Sequence, residues 1–333
     1  MRRLLALCLF LVCGSALAAS HEGVARIVSD RLPIGTAQAA LQLSADWNQP
    51  HPEIRRALVI VHGRLRNAAT YFRSGETATQ AAGATADTLV IAPQFLNEED
   101  VRRHHLPDDL LRWQGNGWMG GEPALGPRPL SSFAVFDALL AHLADRRLLP
   151  NLQEVVIAGH SGGGQVVQRY AVLGQGEGPL AASGIRLRFV VANPSSYAYF
   201  DASRPNAQGQ FGPFAGAATC PDFNTWKYGM QKLPAYAAGR DAATLERHYV
   251  GLDLTYLLGA DDTDPNHPAL DKSCAAEAQG PYRLARGLNY YHYLQGRHAG
   301  LPQRLVEVPG VGHNGDAMFT SPQGRQVLFG TGS

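Results

Sequence analysis

Four stretches of the chain are apolar at nearly every position: Leu58-Val59-Ile60-Val61, Leu89-Val90-Ile91-Ala92, Val155-Val156-Ile157-Ala158 and Phe189-Val190-Val191-Ala192. A run with no polar alternation predicts a strand buried on both faces, and each run stops at a turn-former or a glycine. Residues 252–258 and 304–308 supply two more strands, and residues 24–43 predict antiparallel strands at one edge. Between the runs lie helical patterns at 131–147, 165–173 and 281–294. In the second of these, Val166, Val167, Tyr170 and Ala171 share one face. Strands alternating with helices predict an α/β fold with a mostly parallel central sheet flanked by helices.

One segment interrupts that alternation. From about 193 to 249 no long apolar run occurs, yet Tyr197, Tyr199, Phe200, Phe211, Phe214, Phe223, Trp226, Tyr228 and Tyr236 are scattered through it. A connection this long carries function or its own small elements. It reads as a cap-like insertion after the sixth strand, lying over the carboxyl edge of the sheet, with its rings serving packing first.

Composition narrows the possibilities. Of 333 residues, 45% are hydrophobic and 17% charged, enough to bury a sizeable core. The formal net charge is +1, which speaks against a polyanion-binding surface and so against a nucleic-acid partner. Met1-Arg2-Arg3, the apolar run from Leu4 to Cys13 and the Ala16-Leu17-Ala18 site together predict a cleavable signal peptide over 1–18. That run is too short to span a bilayer, so the expectation is a secreted or periplasmic protein made of residues 19–333. Removing Arg2 and Arg3 from 29 basic residues leaves 27 against 28 acidic ones. Of four cysteines, Cys8 and Cys13 depart with the leader, and the remaining pair, Cys220 and Cys274, predicts one disulfide in an oxidising compartment. Such a bridge would tie the insertion to the segment after Asp262.

The chemistry is concentrated at strand ends. Gly159-His160-Ser161-Gly162-Gly163 matches G-x-S-x-G, a short pattern that means little alone. Here it follows a buried strand and opens an amphipathic helix, the setting in which a nucleophilic serine is held on a sharp turn. Glycines on both sides let strand and helix approach. Three consecutive glycines otherwise only weaken a helix start. No Gly-Lys-Ser/Thr follows, so a phosphate-binding loop is excluded.

With that motif in that setting, the chain resembles the α/β-hydrolase superfamily over roughly residues 24–330. The resemblance implies the chain order Ser, acid, His. Tyr256-Leu257-Leu258-Gly259-Ala260-Asp261-Asp262 looks like the family's strand-end acid and selects Asp262, with Asp261 and Asp264 as neighbours that could be confused with it. Val308-Pro309-Gly310-Val311-Gly312-His313 resembles the loop of the catalytic histidine, His313. His62-Gly63 looks like the family's oxyanion dipeptide, which would give that role to the backbone amides of Arg64 and Gly162. The longer HGGG form is absent, since Arg64-Leu65 follows.

Other constellations carry less. Asp262-x-Asp264-x-Asn266 begins like a calcium loop, but His267 stands where glycine is required and Ser273 where the bidentate glutamate belongs. His104-His105 with Asp108-Asp109 matches no metal-ligand spacing. Trp113 and Trp118 either line the mouth of the site or anchor a long loop. With the leader, the resemblance therefore implies a secreted serine hydrolase working through an acyl-enzyme with no cofactor or metal, and the near-neutral charge and aromatic insertion point to small or medium uncharged carboxylic esters as its substrates. The same fold carries peptidases, lipases and polyester depolymerases, and a catalytically silent binding protein is the alternative of another class.

Overall fold

The computed structural model describes residues 24–330; the expected leader, 1–18, lies outside them. Eight strands form one sheet: β1 (Asp30–Ile34), β2 (Ala37–Leu43), β3 (Arg56–Val61), β4 (Thr88–Gln94), β5 (Glu154–His160), β6 (Arg186–Ala192), β7 (Leu254–Gly259) and β8 (Arg304–Val308). Their spatial order is β1-β2-β4-β3-β5-β6-β7-β8. The β1–β2 and β2–β4 pairs are antiparallel, and every other pair is parallel.

Side-chain alternation explains the continuous apolar runs. Val59, Val61, Val155, Ile157, Phe189 and Val191 enter one core, whereas Leu58, Ile60, Val156, Ala158 and Val190 enter the core on the opposite face. Both faces are covered, so neither can be polar. The covering helices include α1 (Ala68–Ala81), α2 (Ser132–Leu143), α3 (Gly162–Leu173), α4 (Ala242–Val250), α5 (Arg283–Arg297), α6 (Gly315–Thr320) and α7 (Pro322–Phe329).

Helix α1 was not anticipated by the periodicity. Its buried face is made of Ala68, Ala69, Phe72, Ser74, Gly75, Ala78 and Thr79, small residues that give little hydrophobic contrast. Gly75 explains the choice: a Cβ there would meet Val90 at 3.0 Å and Ile60 at 3.3 Å, so the helix lies directly on the sheet.

Residues 193–249 divide into a part packed in the main core and a part with its own small cluster. Tyr197, Tyr199 and Phe200 are buried in the main core, where Tyr197 stacks on Tyr290 at 4.6 Å and Tyr199 packs against Tyr293 at 4.7 Å. Further on, a two-stranded ribbon pairs Ser203–Pro205 with Phe211–Pro213. Phe214 and Phe223 then surround Cys220, which is bonded to Cys274 across a separation of 54 residues. Arg204 joins the two parts, its guanidinium 4.3 Å from the Tyr199 ring and 5.1 Å from that of Phe223.

Candidate active site

Strand β5 ends at His160, and helix α3 begins at Gly162. Ser161 between them has φ +59° and ψ −119°, a conformation that costs a non-glycine residue of order 1–3 kcal/mol. Neighbouring contacts hold it there. The Ser161 amide donates to the Ala192 carbonyl at 2.9 Å, and its own carbonyl accepts from Gln165 at 3.0 Å. The turn is tight enough that a Cβ on Gly159 would lie 2.3 Å from the Gly163 carbonyl oxygen. Likewise, one on Gly163 would lie 2.2 Å from that of Val61. These two positions must therefore be glycine.

Two loops bring the other groups. The amide of Ala260 donates to Val308 and that of Asp261 to Val311, both at 3.0 Å, so the loops after β7 and β8 are stitched together. His313 Nε2 lies 2.9 Å from Ser161 Oγ, and its Nδ1 lies 2.8 Å from Asp262 Oδ2. Asp262 is 3% exposed, while Asp261 and Asp264 face solvent. Asp264 instead accepts from the Asn266 amide within its own turn.

The backbones of Arg64 and Gly162 lie side by side. A Cβ on Gly162 would be 2.9 Å from Arg64 N, and neither amide has a hydrogen-bond acceptor among the described residues. His62 holds the Gly63–Arg64 turn from beneath. The Phe95 amide donates to its Nε2 at 3.0 Å, so Nδ1 carries the proton and donates to the Gly63 carbonyl at 2.8 Å. Burial lowers the His62 pKa to about 4, which keeps this neutral tautomer in place.

Several neighbours were not legible as site residues in the sequence. His160 lies 4.6 Å from His313, ring to ring, and hydrogen-bonds Tyr71 through Nδ1 at 3.0 Å. Burial first, then the nearby His313 and Arg283, push its pKa well down, so it adds no charge beside His313. Arg283 donates to Asp262 Oδ1 at 3.4 Å and to Ser195 Oγ at 3.0 Å. Asn193 accepts from the Gly259 amide at 2.8 Å and donates to the Gly312 carbonyl at 3.4 Å, clamping the acid-bearing strand to the histidine loop. Only its position after β6 could have hinted at this.

Other candidates fall away from the site. Trp118 is fully buried and stacks on Phe95 at 5.1 Å, and Trp113 donates to the Glu122 carbonyl at 3.0 Å, so both anchor the loop they lie in. His104 is bound to the Val24 carbonyl at 2.6 Å. A pocket of about 240 Å³ opens onto Ser161, His160, His313, Tyr71 and Arg64.

This is the α/β-hydrolase fold, with a serine, an imidazole and a carboxylate aligned at the carboxyl end of its sheet. No protein-family model matches the chain, and no curated protein matches it in sequence. Solved structures do share its fold. One is LpqC, a poly(3-hydroxybutyrate) depolymerase from Bordetella parapertussis: 23% identity, TM-score 0.62, covering 90% of each chain. Another is poly(aspartic acid) hydrolase-1 from Sphingomonas sp. KT-1: 24% identity, TM-score 0.62, covering 92% of this chain and 99% of that one.

Proposed function

We propose that the protein is an exported serine hydrolase acting on carboxylic esters through a covalent acyl-enzyme. The reading rests on one observation: Ser161 Oγ, the imidazole of His313 and the carboxylate of Asp262 lie in hydrogen-bond sequence at 2.9 and 2.8 Å. His313 Nε2 takes the proton as Ser161 Oγ attacks the ester carbonyl carbon. The Arg64 and Gly162 amides receive the negative oxygen that develops. Asp262 holds Nδ1–H and stabilises the imidazolium. His313 then returns the proton to the leaving alcohol, and water repeats the attack to release the acid.

Export is supported by the leader pattern in the sequence and by the Cys220–Cys274 disulfide. An ester, and not an amide, is the preferred substrate in this reading because, among the described residues, no acidic pair for a peptide amino terminus lines the pocket at Ser161. The polyester named for LpqC makes a hydroxyacid oligomer a reasonable member of any substrate panel.

The test is fluorophosphonate labelling of intact protein with mapping of the adduct, beside p-nitrophenyl esters of rising chain length and peptide amides. Expected are a single adduct on Ser161 and ester turnover that drops by about 10³-fold or more in Ser161→Ala. Modification elsewhere, or equal turnover by Ser161→Ala, would remove the proposal.

A further inference from the structure

Beside the oxyanion amides lies a second pocket, of about 230 Å³, lined by Arg64, Met119, Gln165, Ser195, Lys227 and Asp271 among others. It shares Arg64 with the pocket over Ser161, and Gly162 packs between Met119 and Arg64. His313 does not line it. A leaving alcohol must stay within reach of His313, so this second pocket belongs to the acyl portion of the substrate.

The charges around it do not cancel. Lys227 is half-buried and makes no ion pair with a described carboxylate. Burial and the nearby Arg169 lower its pKa, against the pull of Asp271 and Glu122. Arg169 is fully buried, and its guanidinium meets only neutral acceptors: the carbonyls of Met119 and Lys227, Gln165 Oε1 and Ser196 Oγ. Behind Ser195, Arg283 binds its hydroxyl and Arg286 its carbonyl, and one terminal nitrogen of each has no partner.

Arg64 and Lys227 thus line the pocket, Arg169, Arg283 and Arg286 bind residues of its lining from behind, and two buried or half-buried carboxylates, of which Asp271 lines the pocket, oppose them. Asp262 is engaged by His313 and Arg283, and Asp271 by the Tyr228 hydroxyl and the Ser273 amide. Glu122, Asp264 and Glu277 are exposed to solvent. Gln165 gives its oxygen to Arg169 and Ser196, which leaves its amide nitrogen as a donor toward the pocket. Two cations, Arg64 and Lys227, line the cavity against the single carboxylate of Asp271, and the unpartnered arginine nitrogens behind it add positive charge, an excess that favours an anion there.

We infer that this pocket is a carboxylate subsite, so that the preferred ester carries a carboxylate on its acyl chain. The inference rests on the hydrolase reading for its catalytic consequence, and it replaces the uncharged substrate that the near-zero charge of the whole chain suggests. Lys227 is then a specificity residue, with the Gln165 amide as second donor.

The test compares p-nitrophenyl hemiglutarate with p-nitrophenyl valerate, acyl chains of equal length that differ in the terminal carboxylate. Wild type should prefer the charged ester by about tenfold or more in kcat/KM. Lys227→Met should bring that ratio down by about tenfold and Lys227→Glu should invert it. Lys232→Met, at an exposed lysine paired with Asp222, should leave it unchanged. In wild type alone, raising the salt concentration should shrink the ratio. Calorimetric titration of glutarate into Ser161→Ala protein reads the subsite without turnover, and Lys227→Met in that background should weaken binding about tenfold. If neither ester is cleaved through Ser161, the hydrolase reading fails and the glutarate titration still decides the subsite. A valerate preference in wild type, or glutarate binding that ignores Lys227, overturns the inference.

Discussion

The two ends of the parallel strands treat buried charge in opposite ways. At the amino end, Glu154 is 4% exposed and holds three arginines: Arg56 at 2.8 Å, Arg188 at 2.7 Å and Arg186. Arg188 spends its remaining nitrogens on the Val327 and Leu328 carbonyls, so α7 is tied to the base of the sheet. Every group there has a partner. At the carboxyl end, Ser161 sits in a left-handed conformation, Arg283 and Arg286 keep unpartnered nitrogens, and Lys227 has no ion pair among the described residues. The first arrangement holds the fold together; the second stores unmet interactions where a substrate can meet them.

Breaking the carboxyl end should affect rate far more than stability. Asp262→Asn keeps the shape of the side chain but lets the imidazole take the wrong tautomer, and ester turnover should fall by about 10⁴-fold. The neighbouring Arg283 loses its counter-charge, so some stability is lost as well. Steady-state kinetics beside urea unfolding separates the two effects. A variant that keeps a tenth of wild-type turnover would remove Asp262 from the proposed mechanism.

At the base of the sheet the expected pattern reverses. Glu154→Gln leaves Arg188 buried without its carboxylate and should destabilise the fold by about 3–5 kcal/mol. Turnover per folded molecule should stay at the wild-type level, because nothing at that end reaches Ser161. Burial alone would raise the Glu154 pKa, but the hydrogen bonds from Arg188, Arg56 and Arg186 outweigh it and lower it below its ordinary 4.5. That contribution is present above pH 4.5 and is lost as the pH falls through the lowered value. Urea midpoints against pH should show an acid loss in wild type that is smaller in the variant.

Much of the carboxyl end was readable in the residues themselves. Runs such as Val155-Val156-Ile157-Ala158 announce a strand buried on both faces, and the glycines after His160 announce a turn that no ordinary helix start needs. Asp262 and His313 followed from chain order once Ser161 was recognised, because a resemblance supplies an order that periodicity cannot. The positive pocket was not readable. Arg169, Lys227 and the Arg283–Arg286 pair are far apart in sequence, and the net charge of +1 averages them away. The rings of the insertion were legible as packing residues, but not their partners: Tyr197 and Tyr199 meet Tyr290 and Tyr293, some ninety residues on. Pattern reading sees neighbours along the chain, and both features are built from distant partners.

The smallest effect separates the two ends by their titration windows. Neutral His62 holds the Gly63–Arg64 turn, with a folded pKa of about 4 against an ordinary 6.5. Between those values the unfolded chain binds the proton and the folded one does not, so stability rises with pH across this window. For one such group the slope is at most roughly 1.4 kcal/mol per pH unit. Buried His160, and in part His142, act in the same direction, while His51 and His248 have raised pKa values and oppose it. His62→Asn replaces the titrating ring with an amide that can still accept from Phe95. The fall in stability from pH 6.5 to pH 4.5 should therefore be shallower than in wild type, with the Glu154 window below pH 4.5 unchanged. Urea unfolding at pH 6.5, 5.5 and 4.5 measures it. Identical slopes in the two proteins would mean that His62 is protonated without cost, and that its ring is not what holds the Gly63–Arg64 turn.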